Sequence, residues 1–330
     1  MIYHMKHKNI LITGGCGFIG SNLAEHCVAL DNNVTILDSM IPDYGGNSFN
    51  LHTIKNKVTI NYSDLRDPHS LKYLVQNQDI IFNLAGQVSH IDSMIDPVTD
   101  LEINTKAQLN LLECCREYNP NVKIIFTSTR QIYGKPKTIP VNESHPINPT
   151  DINGINKYSA EKMHSLYHDI YNLKTVSLRL TNVYGPKQLI KHNKQGFTGI
   201  FIREALLGNT IKLFGDGLQK RDFNYVDDVV DALILAANND KAIGNTYNLG
   251  YPKPYSLLGF VKILQTYCNV NYEIVPFPTE KKKIDIGDYQ GDFSKINQDL
   301  LWTPKTSLDT GLKKTVSYFK SYFEHYYQKP

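Results

Sequence analysis

The chain runs from an apolar strand, Asn9 to Thr13, straight into Gly14-Gly15-Cys16-Gly17-Phe18-Ile19-Gly20 and then into a helical pattern. Few folds tolerate glycines at 14, 17 and 20 in that setting. Their missing side chains let the backbone turn tightly after a strand, approach a pyrophosphate closely, and leave the phosphates on the positive end of a helix dipole. The next apolar run ends in Asp38, 18 residues beyond Gly20. A carboxylate there bonds adenosine ribose hydroxyls and repels a 2′-phosphate, and Ser39-Met40-Ile41 supply no arginine to neutralise one. The sequence thus favours NAD over NADP.

The rest of the N-terminal half repeats the strand and helix alternation. Short β-branched runs at 9–13, 34–38, 58–62, 79–85, 122–128 and 175–180, and a later one at 245–250, alternate with stretches whose apolar residues recur at three and four. Such runs alternating with helical patterns predict βαβ units, hence a Rossmann doubly wound parallel sheet. After residue 186 the pattern breaks into Gly- and Pro-punctuated pieces, which predicts a smaller mixed α/β C-terminal substrate lobe. The expected division is 1–183 with 224–250 returning to it, against 184–223 and 251–330.

Composition excludes several classes. A net charge of +3 over 330 residues gives no nucleic-acid footprint, and Lys281-Lys282-Lys283 reads as a solvated loop. Five cysteines, at 16, 27, 114, 115 and 268, make no metal spacing and no disulfide framework, which suggests the cytoplasm. Cys114 and Cys115 read as helix packing. No signal-peptide pattern and no apolar run of about 20 residues is present, so no membrane partner is expected.

Further blocks stand at the carboxyl ends of the strands, where such a sheet holds its cofactor. They are Asp64-Leu65-Arg66-Asp67 after the third strand and Asn83-Leu84-Ala85-Gly86 at the end of the fourth. With TGGCGFIG, STRQIYG, LRLTNVYGP, RDFNYVDDVVDA and LLWTPKTSLDTGL, all in order, the chain resembles the extended short-chain dehydrogenase/reductases, the group of NAD-dependent nucleotide-sugar epimerases and dehydratases. NLAGQVS and YGPKQ…QGF are similar to CDP-tyvelose (CDP-paratose) 2-epimerases within it. The resemblance implies NAD beside Gly14, Gly17, Phe18, Ile19, Gly20, Asp38, Asp64, Leu65, Leu84, Ala85, Gly86, Gln87, Asn104 and Lys157. It also implies a nucleoside-diphosphate sugar as substrate and a homodimer packed through helices.

That family uses a Ser or Thr after the fifth strand and a Tyr four residues before a Lys. Thr129 fits the first role. Two registers compete for the second: Tyr158 with Lys162, or Asn153 with Lys157. Five residues on a helix amount to about 140° of rotation and about 7.5 Å of rise, so only one lysine can reach a nicotinamide. The distances from Lys157 to Leu178-Arg179 and Tyr184-Gly185-Pro186 match the family's spacing, which favours Lys157 and leaves Asn153 where the Tyr belongs. Asn cannot take a proton near neutral pH. His90, Tyr158 and Thr129 are then the candidate bases.

Arg130-Gln131 stand where 4,6-dehydratases carry Asp-Glu, which disfavours that elimination; Arg130 could steady an enolate or hold a carboxylate or phosphate. Asn182, Gln195 and Arg221 resemble the family's substrate contacts, Arg221 as a diphosphate clamp. The expected activity is nucleotide-sugar epimerisation by transient oxidation of a hydroxyl and return of the hydride. A dehydrogenase or reductase of the same fold, and a non-catalytic NAD and nucleotide-sugar binding subunit, are the alternatives. No metal is expected.

Overall fold

The computed structural model describes residues 5–193 and 196–327. Its first half lays down β1 (Asn9–Thr13), α1 (Phe18–Ala29), β2 (Asn33–Leu37), β3 (Val58–Asn61), α2 (Pro68–Leu74), β4 (Ile80–Asn83), α3 (His90–Ile95), α4 (Pro97–Leu101) and α5 (Ala107–Tyr118). Then come β5 (Lys123–Thr129), α6 (Ile152–Tyr171), β6 (Lys174–Leu180), β7 (Asn182–Tyr184), α7 (Phe197–Leu207), β8 (Ile211–Phe214), β9 (Lys220–Arg221) and β10 (Phe223–Tyr225). The remainder is α8 (Val226–Asn238), β11 (Thr246–Asn248), β12 (Tyr255–Ser256), α9 (Leu257–Leu264), β13 (Tyr272–Val275), α10 (Thr279–Ile284), α11 (Ser294–Leu300) and α12 (Leu308–Tyr322).

Seven parallel strands form the main sheet in the order β11-β6-β5-β4-β1-β2-β3, the doubly wound arrangement expected from the alternation. Successive residues of β1 serve opposite faces. Ile10 and Ile12 pack under α1 and α8 with Leu23, Val229 and Leu233, whereas Leu11 packs with Leu71, Leu111 and Leu112 of α2 and α5. Both faces being covered, the strands read as continuous apolar runs rather than alternating ones. The cysteines follow the same logic: all five are buried and free, with Cys114 and Cys115 on the inner face of α5.

A second core, built on Phe201, Phe223, Phe260 and Leu312, lies under three two-stranded pairs, β10 with β7, β12 with β9, and β13 with β8. Three details depart from the sequence reading. β4 stops at Asn83 rather than 85, because the Leu84 and Ala85 N–H groups both donate to Thr13 Oγ1 at 3.1 Å instead of to a neighbouring strand. The residues from Glu102 to Lys106 form a single π-helical turn joining α4 to α5. Finally, the lysine run expected in a loop falls within the short helix α10. Among the described residues no helix is long and apolar enough to cross a membrane.

Candidate active site

A cavity of about 530 Å3 runs along the carboxyl edge of the sheet and under the second core. Its floor is the glycine turn. Gly14 sits at φ +68°, and a Cβ there would lie 3.0 Å from the Ala85 backbone; one on Gly20 would lie 2.3 Å from the Gly14 carbonyl oxygen. Positions 14 and 20 are therefore closed to any side chain. α1 begins after Gly17 with no side-chain cap and no acidic residue in its first turn, so its first N–H groups stay open to a phosphate. Asp38 closes the next corner, accepting from the Cys16 and Met40 N–H groups at 2.9 Å each. Burial raises its pKa in spite of those two bonds.

Arg66 also lines this end, and the sequence reading had not weighed it. It is neutralised by Asp64, with bonds of 3.0 and 2.7 Å, and by Glu102 at 3.5 Å. It is thus not a free cation for a 2′-phosphate. Every residue expected to touch the cofactor lines the cavity except Asn104. The π turn buries Asn104 behind Gly86, where its Nδ2 donates to the Gln87 carbonyl at 2.9 Å and its Oδ1 has no partner among the described residues. A dinucleotide fits this cradle: bare helix N–H groups, a glycine floor and a ribose-side carboxylate.

The two lysine registers end differently in space. Lys157 is buried and lines the cavity, its Nζ 4.5 Å from the centre of the Phe126 ring. Lys162 is exposed. Tyr158 packs against Ile132, Tyr133, Ile286 and Tyr289, and does not line the cavity. What fixes this register is Glu161 on the same face of α6, paired with Arg179 of β6 at 2.6 Å with both side chains buried. Burial pushes the Lys157 ammonium down to about 8, against the pull of Asp100 and Glu161.

Asn153, one turn before Lys157, lines the cavity and is held by acceptors. Its Nδ2 lies 2.8 Å from the Gln87 carbonyl, 3.2 Å from Gln87 Oε1 and 3.0 Å from Asp100 Oδ2. Three acceptors on one side fix the NH2 there and turn the amide oxygen the other way. Asp100 also accepts from Asn156 Nδ2 at 2.7 Å. Nothing in the spacing had marked Asp100 or Asn156, because they meet only when α4 and α6 pack together.

Thr129 closes β5 and accepts from the Gln131 N–H at 3.2 Å. Gln131 Nε2 reaches Asp151 Oδ2 at 2.8 Å. Asp151 caps α6 by accepting from the Gly154 N–H at 2.7 Å, and its Oδ2 also lies 3.0 Å from His90 Nδ1, a bent contact. Burial raises the Asp151 pKa, but His90, the Gly154 N–H and Gln131 outweigh it and hold the carboxyl below its ordinary value. Asp151 was missed in the sequence, although an Asp three residues before Gly154 is an N-cap signal.

On the substrate side, Arg130 and Asn182 line the cavity, with Arg130 Nη2 donating to Asn182 Oδ1 at 3.1 Å and the guanidinium 5.2 Å from the Tyr289 ring centre. Arg130 Nη1 has no hydrogen-bond partner among the described residues. Burial and the nearby Arg221 push its pKa down to about 10. Arg221 itself is held by Asp285 at 2.8 Å and by the Lys220 carbonyl at 2.9 Å, and it does not line the cavity. Gln195 lies outside the described residues. No group of three or more metal-ligating side chains occurs among the described residues.

The profile of the NAD dependent epimerase/dehydratase family matches residues 10–250. A putative UDP-glucose 4-epimerase of Methanocaldococcus jannaschii is 33% identical, covering 94% of this chain and 98% of its own length. The CDP-paratose 2-epimerase of Salmonella typhi is 30% identical, covering 94% and 99%. Among solved structures, the UDP-glucose 4-epimerase of Thermotoga maritima with UDP-glucose superposes with a TM-score of 0.87 at 32% identity, covering 96% and 100%.

Proposed function

Because the chain belongs to the NAD dependent epimerase/dehydratase family, we propose that it epimerises a nucleoside-diphosphate sugar, with NAD as resident cofactor. One observation carries this reading. A glycine-floored dinucleotide cradle and a substrate cavity are continuous, and Thr129, Asn153 and Lys157 all line that one cavity. The acid and base that a 4,6-elimination needs are absent from positions 130 and 131, which hold Arg and Gln.

Bound NAD would supply a two-electron acceptor that takes hydrogen from a sugar carbon and gives it back. The glycine turn and the α1 N-terminus hold the pyrophosphate, and Asp38 the adenosine ribose. Lys157, desolvated under Phe126, donates to the nicotinamide ribose and places positive charge beside the reacting carbon. Thr129 hydrogen-bonds the reacting hydroxyl. Asn153 can accept from a hydroxyl through its amide oxygen but cannot remove the proton. Arg130 and Asn182 grip an anionic part of the ligand, Arg130 through its unpartnered Nη1.

A homodimer is part of the proposal. Met94, Ile95 and Val98 of α3 and α4, with Leu166 and Ile170 of α6, are about half exposed or more on neighbouring helices, an apolar face that a second copy would cover.

NMR of purified protein with a panel of nucleotide sugars tests the function. Epimerisation changes the anomeric and ring proton signals with no net absorbance of reduced cofactor. Net reduced cofactor would indicate a dehydrogenase instead. If no sugar that binds is altered, the second reading, a binding subunit without turnover, takes its place; Asn153 is the observation that favours it.

A further inference from the structure

Epimerisation through a ketone needs a group that takes the hydroxyl proton, and the residue at the family's tyrosine position is an amide. The geometry points to His90, held by Asp151, as the proton acceptor, a role that rests on the epimerase reading. Three independent features of the site meet at this pair.

The first is place. His90 lines the cavity with about a third of its side chain exposed, whereas Asp151 is fully buried beneath it. Gln87, three residues before His90, touches the Asn153 amide, and Asp151, two residues before Asn153, touches both His90 and Gln131. His90 and Asn153 thus line the same cavity, and the segments that carry them are tied together twice, Gln87 to Asn153 and Asp151 to His90.

The second is chemistry. A carboxylate 3.0 Å from Nδ1 favours the tautomer with its hydrogen on that nitrogen, which leaves Nε2 as a lone-pair acceptor. The same carboxylate stabilises the imidazolium once the proton arrives. The bent approach is what a ligand-free site commonly shows before substrate tightens it.

The third is exclusion. Tyr158 packs away from the cavity in its own apolar cluster. The hydroxyl of Thr129 is no base unless something first takes its own proton. The buried ammonium of Lys157 is charged when it holds a ribose.

The step balances. As the carbinol hydrogen leaves carbon with its electron pair for the oxidised nicotinamide, the O–H proton passes to His90 Nε2. The O–H electron pair becomes the second carbon–oxygen bond of the ketone. On return the carbonyl oxygen takes the proton back from the imidazolium, so neither acid nor base is consumed. Asp151 acts through His90 as a positioning residue. The charged groups on the elements packed against His90 are Asp92 on its own helix α3, Asp96 and Asp100 at and within α4, and Asp151 and Lys157 at the start of α6.

The test has two arms. Nitrogen-15 histidine spectra of the NAD-loaded protein read the tautomer without any substrate. Hydrogen on His90 Nδ1 in the parent, and a shift of that hydrogen towards Nε2 in Asp151→Asn, are expected. Hydrogen on Nε2, or no response to Asp151→Asn, overturns the assignment. Asn keeps the cap on α6, so this variant separates charge from folding. In the second arm, His90→Gln should lower kcat by ~100-fold or more while NAD affinity and melting temperature hold. Turnover within a few-fold of the parent in His90→Gln overturns the inference and leaves the epimerase reading standing. An inactive parent that still shows the Nδ1 tautomer and its response removes the epimerase reading and the proton-acceptor role with it, and leaves only the His90–Asp151 pair standing.

Discussion

Replacing Lys157 by Met keeps the length of the side chain and removes its charge. Burial takes this ammonium from an ordinary 10.5 down to about 8. At 1.36 kcal/mol per pH unit, that difference is roughly 3 kcal/mol of folding free energy set against the charged form at pH 7. The sign follows from the direction. The folded pKa lies below the unfolded one, so the cost is whole below about pH 8 and fades as pH rises towards 10.5. Urea unfolding of the ligand-free parent and of Lys157→Met, each at pH 7 and pH 9.5, reads the effect. The parent should gain about 2 kcal/mol on the variant between those two values, all other titrating groups being common to both. The same substitution should abolish the rise in melting temperature that NAD gives the parent, since the ribose loses its donor. A difference between the two proteins that stays flat with pH would refute the desolvated lysine, whatever its absolute size.

Gly20→Ala places a Cβ 2.3 Å from the Gly14 carbonyl oxygen, so it should cost about 1–3 kcal/mol of stability and eliminate NAD binding by calorimetry. Glu161→Ala strands the buried Arg179 guanidinium, and chemical denaturation should show a loss of about 3–5 kcal/mol. Arg130→Met should weaken nucleotide-sugar binding by ~10-fold or more with NAD affinity unchanged, because only the substrate side loses a charge-assisted bond; equal loss of both ligands would contradict the placement of Arg130.

The fold was largely legible because it rests on local patterns. Short apolar β-branched runs and a 3.6 period specify strand and helix, and the continuity of the strand runs specifies a sheet covered on both faces. The glycine turn was legible for the same reason: positive φ at Gly14 and the close contact of Gly20 with Gly14 involve residues near in sequence. Asp38 could be read because one helix and one strand, α1 and β2, separate it from the turn and return the chain to the same edge of the sheet.

What the sequence left open was settled by contacts between distant elements. A run of residues in α6 offers two lysines, and spacing along the chain favours Lys157 without showing which way either side chain turns. The choice is made by Glu161 meeting Arg179 across 18 residues, which turns Lys157 inward and Lys162 outward. Arg221 reads as a diphosphate clamp, and only the fold reveals its partner Asp285, 64 residues away. His90 reads as a lone histidine until the α6 cap brings Asp151 beneath it. Sequence determines a backbone's local conformation because near neighbours set its torsions. The charge state and orientation of a side chain depend on groups that only the folded chain brings within 3 Å.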